Sequence, residues 1–294
     1  IGPLGGVFRV TDGLQREFGS ARVLDTPLAE AGIVGSAIGL AMRGYRPVIE
    51  IQFDGFIFPA FNQIVTQLAK MRSRHDGAYS MPVVIRVPYG GHIHSIEHHE
   101  ESPEAYFAHT AGLRVVAPST ANDAYWMIQQ AIASDDPVLF FEPKSKYWHK
   151  GAVDRQAPAV DLHRSRIARS GTDCTVVGFG AMVSTLLQAA EIAGGEGTSL
   201  EVVDLRSLSP VDYAPLLESV RKTGRLVVAQ EAPGNVSLGS EIAAHVAEHA
   251  FYSLQAPVLR VSAYDVPFPA SKLEGLYLPD ADRVLEAVDR TMHY

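Results

Sequence analysis

"MPVVIRV", residues 81–87, is a short run dominated by apolar, β-branched residues, with little polar alternation to mark a wet face. Similar runs recur along the chain: "RPVIEIQF" (46–53), "LRVVAPS" (113–119), "DPVLFFEP" (136–143), "DCTVVGFG" (173–180), "LEVVDLRSL" (200–208), "GRLVVAQE" (224–231) and "PVLRVSAY" (257–264). Strands apolar on both faces belong in sheets covered on both sides, the habit of parallel sheets. Helix-like segments lie between many of them, at 60–72, 121–133, 182–193 and 238–250. This alternation predicts an α/β chain with parallel sheets.

The 294 residues suffice for two domains, and 47% hydrophobic with 20% charged residues allows sizeable cores. The stretch 144–173 is polar and lacks a period, so a linker is expected over 151–171, between domains at 1–150 and 172–294. A net charge of −8 without a long run of one sign speaks against nucleic acid. Cys174 alone excludes an intrachain disulfide framework and fits a reducing cytoplasm. No apolar run reaches the ~18 residues of a membrane span. No signal peptide is visible, and since the chain begins at Ile1, its start is expected to have been trimmed.

In "DTPLAEAGIVGSAIGLAMRGY" (25–45), Thr26 and Pro27 read as a helix start. The run after them is small or apolar nearly all round, so that helix should be buried. Glu30 at its entrance either caps it or serves chemistry. Gly32, Gly35 and Gly39 allow a backbone or flat ligand to come close. "EIQFDGFIFPAFNQIV" (50–65) sets Phe53, Phe56, Phe58 and Phe61 at a strand-to-helix junction, as core or as a platform for a cofactor.

"SIEHHEESPEAYFAH" (95–109) holds three histidines and four glutamates, with His92 and His94 just upstream. Three readings stay open: a metal site on His92, His94, His98 and His99, proton chemistry, or a solvated loop. The glycine-bearing "PYGGHIHS" counts against a rigid metal cage. "ESPEAYFAH" reads as a helix start, with Ser102 as N-cap, Pro103 first and Glu104 in the first turn. P-loop and dinucleotide fingerprints are absent, and "GFGAM" reads as a tight strand-to-helix connection.

Taken in order, "LGGVFRVTDGL", "DTPLAEAGIVG", "FDGFIFPAFNQIV", "HEESPEAYFAH", "FFEPK" and "YDVPFPASKLE" resemble the β subunit of the thiamine-diphosphate-dependent 2-oxo acid dehydrogenase E1 component, nearest its branched-chain branch. The resemblance implies a transketolase-like pyrimidine-binding domain followed by a transketolase C-terminal domain, with a first strand before "LGGVF" missing. It places Glu30 at N1′ of the aminopyrimidine, where a carboxyl favours the imino tautomer, and burial would raise its pKa to suit that exchange. Phe56 falls where a ring packs on the pyrimidine, a position often Tyr in the branched-chain branch. His99 falls at the histidine bordering the acyl intermediate, and His94 at another loop histidine. K⁺ would sit on backbone carbonyls about Met81, Val83, Val84, Ala131, Ser134 and Asp136.

The sequence has no Gly-Asp-Gly to hold Mg²⁺ and diphosphate. The family carries that motif on its α subunit, so the resemblance implies an α2β2 heterotetramer with thiamine diphosphate shared and Mg²⁺ held by α. Its implied activity is oxidative decarboxylation of a 2-oxo acid and acyl transfer to the lipoyl domain of E2, in the cytoplasm of a bacterium or the mitochondrial matrix of a eukaryote. Branched-chain substrates stand first, with pyruvate or acetoin as alternatives. The competing classes are a metal-dependent hydrolase on the histidine cluster and a non-catalytic interaction subunit.

Overall fold

In the computed structural model, which describes residues 1–156 and 160–294, every one of the quoted runs carries a strand. β1 (Val48–Glu50), β2 (Val84–Tyr89), β3 (Arg114–Val116) and β4 (Val138–Pro143) pair in parallel in the order β1-β2-β4-β3. A second sheet runs β10-β9-β6-β7-β5, from β5 (Arg166–Arg169), β6 (Cys174–Gly178), β7 (Leu200–Asp204), β9 (Leu226–Pro233) and β10 (Leu259–Ala263). Only β5 is antiparallel there. β8 (Ser207–Ser209) crosses over and pairs antiparallel with β3 at the edge of the first sheet.

β2 is buried throughout, as its two-faced apolar run requires. The helices Ala121–Ala133, Leu238–Ala250 and Ala281–Met292 are each capped by a side chain, from Thr120, Ser237 and Asp280. One apolar core runs from Ile85, Val87 and Phe141 of the first sheet into Val177, Val203 and Val228 of the second. Burying each such side chain is worth about 1.5–3 kcal/mol.

Several expectations are corrected. The run 200–208 is two strands in two sheets, because Arg206 takes a left-handed backbone (φ 58) that ends one pairing and starts the other. The expected linker 151–171 contains β5, and its residues 157–159 lie outside the described residues. The helix expected at 60–72 is a 3₁₀ stretch Asp54–Ala60 containing Pro59, a π-type turn Gln63–Leu68, and an α-helix Ala69–Arg74. The helix expected from Thr26 begins at Glu30 and is not buried all round. Glu30–Met42 buries Val34, Ala37, Ile38 and Ala41, while Leu40 and Met42 are each 40% exposed. Ser102 caps nothing, since Pro103 directly precedes the helix Glu104–Ala108.

At the crossover, Arg206 is buried. Its Nε donates to Asp123 at 3.0 Å, and its Nη1 to the carbonyls of Asp161 and Arg164 at 3.0 and 2.7 Å. Arg166 bridges Asp123 (2.7 Å) and the fully buried Asp204 (3.0 Å). Removing one partner of such a buried pair leaves the other charge uncompensated. Asp123→Ala should therefore cost about 3–5 kcal/mol, read as a lower denaturant midpoint. A surface-like change below about 0.5 kcal/mol would mean that the network contributes nothing to stability.

Candidate active site

Parallel pairing brings the carboxyl ends of β1, β2 and β4 side by side, and open α/β sheets present their loops for chemistry there. Arg86 of β2 ties the three strands together, donating to Glu142 at 2.6 and 2.8 Å and to Glu50 at 2.8 Å. Asp54 follows β1, the histidine-rich loop follows β2, and Lys144 follows β4. Their side chains converge.

His98 and His99 lie on a one-turn 3₁₀ segment, Glu97–His99. The His99 ring stands edge-on to Phe53 at 4.2 Å and to Phe56 at 5.4 Å. Its Nδ1 is buried and has no hydrogen-bond partner among the described residues. Burial, then the neighbouring charges of His98 and Lys144, hold its pKa below the usual histidine value. Beneath it Lys144, wholly buried, donates both to Asp54 and to the His99 carbonyl. The second Asp54 oxygen accepts the Glu101 N–H at 2.8 Å. Burial pushes Asp54 up to about 6 and Lys144 down, each held back by the charge of the other.

The upstream loop is fastened to the second half of the chain. His92 and His94 both take left-handed backbones (φ 75 and 57), a costly conformation for non-glycine residues. The Glu274 carboxylate accepts both their N–H groups and meets His94 Nδ1 at 2.7 Å. His92 Nε2 lies 3.5 Å from Glu231 at the end of β9, and that contact raises its pKa. Beside the loop a cavity of about 150 Å³ is lined by Phe58, Glu100, Tyr106, Glu231, Phe268 and Tyr277. Burial pushes Glu100 up to about 7 and Glu104 up to about 8, and each keeps one buried oxygen without a partner among the described residues.

Of the residues singled out from sequence, Phe56 and His99 are in contact, and His94 anchors the loop with its own side chain 75% exposed. Glu30 heads its helix half-buried, not buried as expected, and nothing among the described residues bonds its carboxylate. That helix packs against the segment Asp54–Ala60 that carries Phe56, and a Cβ at Gly35 or Gly39 would meet open space. Along a 3.6-residue helix Gly35 and Gly39 fall roughly half a turn round from Glu30, on the outward face. The Met81 N–H rests on the Asp135 carbonyl at 3.0 Å, and Val84 shares an apolar cluster with Ala131. The carbonyls of Met81, Val83, Ala131 and Asp136 each already accept one hydrogen bond. Among the described residues no three His, Cys, Asp or Glu side chains are placed to hold a metal ion, so the histidine cluster does not assemble as a zinc site. Nor is any helix there long and apolar enough to cross a membrane.

Residues 3–149 match the transketolase pyrimidine binding domain and 163–284 the transketolase C-terminal domain. The chain is 73% identical over its whole length to "Pyruvate dehydrogenase E1 component subunit beta" of Leifsonia xyli subsp. xyli, covering 87% of that relative. It is 50% identical, over 98% of its length and 83% of the relative, to "3-methyl-2-oxobutanoate dehydrogenase subunit beta" of Mycobacterium tuberculosis. This chain belongs to the E1 β subunit family of 2-oxo acid dehydrogenases. Its fold is transketolase-like: a solved "Split gene transketolase, inactive beta4 tetramer" superposes with TM-score 0.76 at 25% identity, over 94% of this chain and 87% of that one.

Asp54, Lys144, Glu231 and Glu274, which frame this candidate site, are not singled out by the sequence. The signal available is a lone charge beside an apolar run, as in "QFDGF" and "FFEPK". Glu104 gives a pH test. Between an ordinary glutamate value and about 8 the unfolded chain loses a proton that the folded chain keeps, so stability falls as pH rises through that window. Glu104→Gln removes this term. The difference in urea midpoint between variant and parent should grow in the variant's favour from pH 5 to pH 8 and level off above. A pH-independent difference would place Glu104 in water.

Proposed function

We propose that this E1 β subunit supplies one side of a thiamine diphosphate site that an α subunit completes in an α2β2 assembly. The assembly decarboxylates a 2-oxo acid oxidatively and passes the acyl group to a lipoyl domain of E2. The observation that carries this reading is the unbonded Glu30 carboxylate, at the head of an open glycine-bearing helix packed on the segment of Phe56, whose ring meets His99. When bound, the cofactor supplies a ring that accepts the electrons released on decarboxylation.

The chain's own residues would act in concert. Glu30 would bond N1′ of the pyrimidine, and Phe56 would pack against that ring. His99, with a free buried Nδ1, exchanges protons with the reacting group near neutral pH. His94 holds the loop through Glu274. Mg²⁺ and the diphosphate fall to α, since no Gly-Asp-Gly occurs in this sequence. K⁺ would use the second lone pairs of the carbonyls about Met81, Val83, Val84, Ala131, Ser134 and Asp136. The pyrimidine-binding unit is assigned to 1–150, the C-terminal unit to the part of the chain that builds the second sheet from β5 (Arg166–Arg169) onward, and the assembly to the bacterial cytoplasm.

For the substrate, "HEESPEAYFAH" and "FFEPK" favour branched-chain 2-oxo acids, whereas the name of the 73%-identical relative favours pyruvate. Assayed with its co-purified α subunit, the chain should turn over 3-methyl-2-oxobutanoate with a kcat/KM at least about tenfold above that for pyruvate, the scale on which apolar pockets discriminate. The reverse ranking would install pyruvate.

Glu30→Gln in the same complex should leave cofactor binding largely intact yet slow C2 proton–deuterium exchange by about 10²–10⁴, the usual worth of a positioned acid–base. Proton NMR after acid quench reads it. Parent-like exchange removes Glu30 from this role.

A further inference from the structure

We infer that Asp54, Gly55 and Lys144 are positioning residues that lock the His98–His99 turn in place at the site. The inference rests on the reading of His99 as a residue of that site, and it adds what fixes the histidine there.

Two independent observations carry it. The first is electrostatic. Lys144 and Asp54 are both completely buried and paired, and the same ammonium also donates to the His99 carbonyl. The other Asp54 oxygen takes the Glu101 N–H at 2.8 Å. The pair thus grips the turn at residues 99 and 101, on both sides of Glu100. A buried ion pair is weak evidence for stability, because desolvation offsets most of its attraction. Specifying the position of a backbone is a better account of its presence here.

The second observation is steric. A Cβ built on Gly55 would lie 2.3 Å from the His98 carbonyl oxygen and 2.8 Å from the His98 Cβ. Backbone cannot yield as a flexible side chain does. Glycine at 55 therefore lets the turn rest directly on the segment Asp54–Ala60, which also presents Phe56 to the His99 ring. Neither Asp54 nor Lys144 offers its side chain to the site itself: both are engaged with the turn and with each other.

The test uses the α2β2 complex with three changes in β: Gly55→Ala, the double change Asp54→Asn with Lys144→Met, and His99→Ala as reference. The double change leaves no lone buried charge, and the new carboxamide keeps an acceptor for the Glu101 N–H, so the fold should persist. Gly55→Ala alters no charge at all. Each should lower kcat about 10²-fold with little change in KM, the scale expected when a reacting group is displaced by about 1 Å. Thermal melting should stay cooperative.

Histidine NMR gives a readout that a structural role would not move. The charged groups facing His99 are His98 and Glu97 on its own turn and Lys144 from the end of β4. The double change withdraws the Lys144 ammonium together with the Asp54 carboxylate that partly offsets it, so the His99 titration should move up a little, toward the ordinary histidine value. Parent-like kcat in both locking variants and an unmoved His99 titration in the double change, with His99→Ala damaging, would overturn the positioning role alone. A silent His99→Ala would overturn the reading of His99 as a site residue and the inference with it.

Discussion

Arg206 sits where the two sheets exchange a strand, and the arrangement of the whole chain depends on what its guanidinium holds. β7 ends at Asp204 in one sheet and β8 begins at Ser207 in the other. Between them the chain must turn within a buried space, and the carbonyls and carboxylates of that turn need donors. The planar fork of an arginine offers five, and here Asp123, Asp161 and Arg164 take three of them. Lysine has one point of charge and could not span the same three partners. Since Asp123 heads the helix after β3 and Asp204 ends β7, the network fixes one sheet against the other. That relation carries Glu231 and Glu274, from the second half of the chain, to the loop after β2.

The loop in turn is held from both sides. Glu274 and Glu231 fasten its first part, at His92 and His94, while Asp54 and Lys144 fasten its second, at His99 and Glu101. A loop of mostly polar residues would otherwise be mobile, since few apolar contacts restrain it. Here the restraint comes from buried carboxylates and one ammonium. Left-handed backbones at His92 and His94 are tolerable because the surrounding contacts over-determine them. Restraint of this kind holds the His99 ring against Phe53 and Phe56.

Much of this is legible in the sequence, and the failures are of one kind. Apolar runs locate the strands because burial on both faces leaves its mark residue by residue. The helices 121–133 and 238–250 stand where the sequence places them, each with a Ser or Thr cap just before it. What the pattern cannot carry is conformation at single residues. Nothing in "LEVVDLRSL" announces that Arg206 turns left-handed. Asp54 and Lys144 lie 90 residues apart, and each reads alone as a solvated charge beside a strand. Only the parallel order β1-β2-β4 brings them together. His99 is reached through family resemblance, since composition alone leaves metal, proton chemistry and solvent open.

The helix Glu30–Met42 departs from its sequence for a more instructive reason. Its composition is that of a helix buried all round, yet only one stripe of it is buried within this chain. Leu28 (81% exposed), Leu40 and Met42 (40% each) face outward, as do glycines with open space around them. A sequence is shaped by every surface its chain covers, including surfaces of other chains, and a single subunit shows only its own share. The bare face lies on the side of the helix away from the buried stripe and from Glu30. The mismatch between a composition suited to full burial and a structure that leaves it half open is therefore positive information. It marks, on this chain, an apolar surface that the fold by itself does not bury.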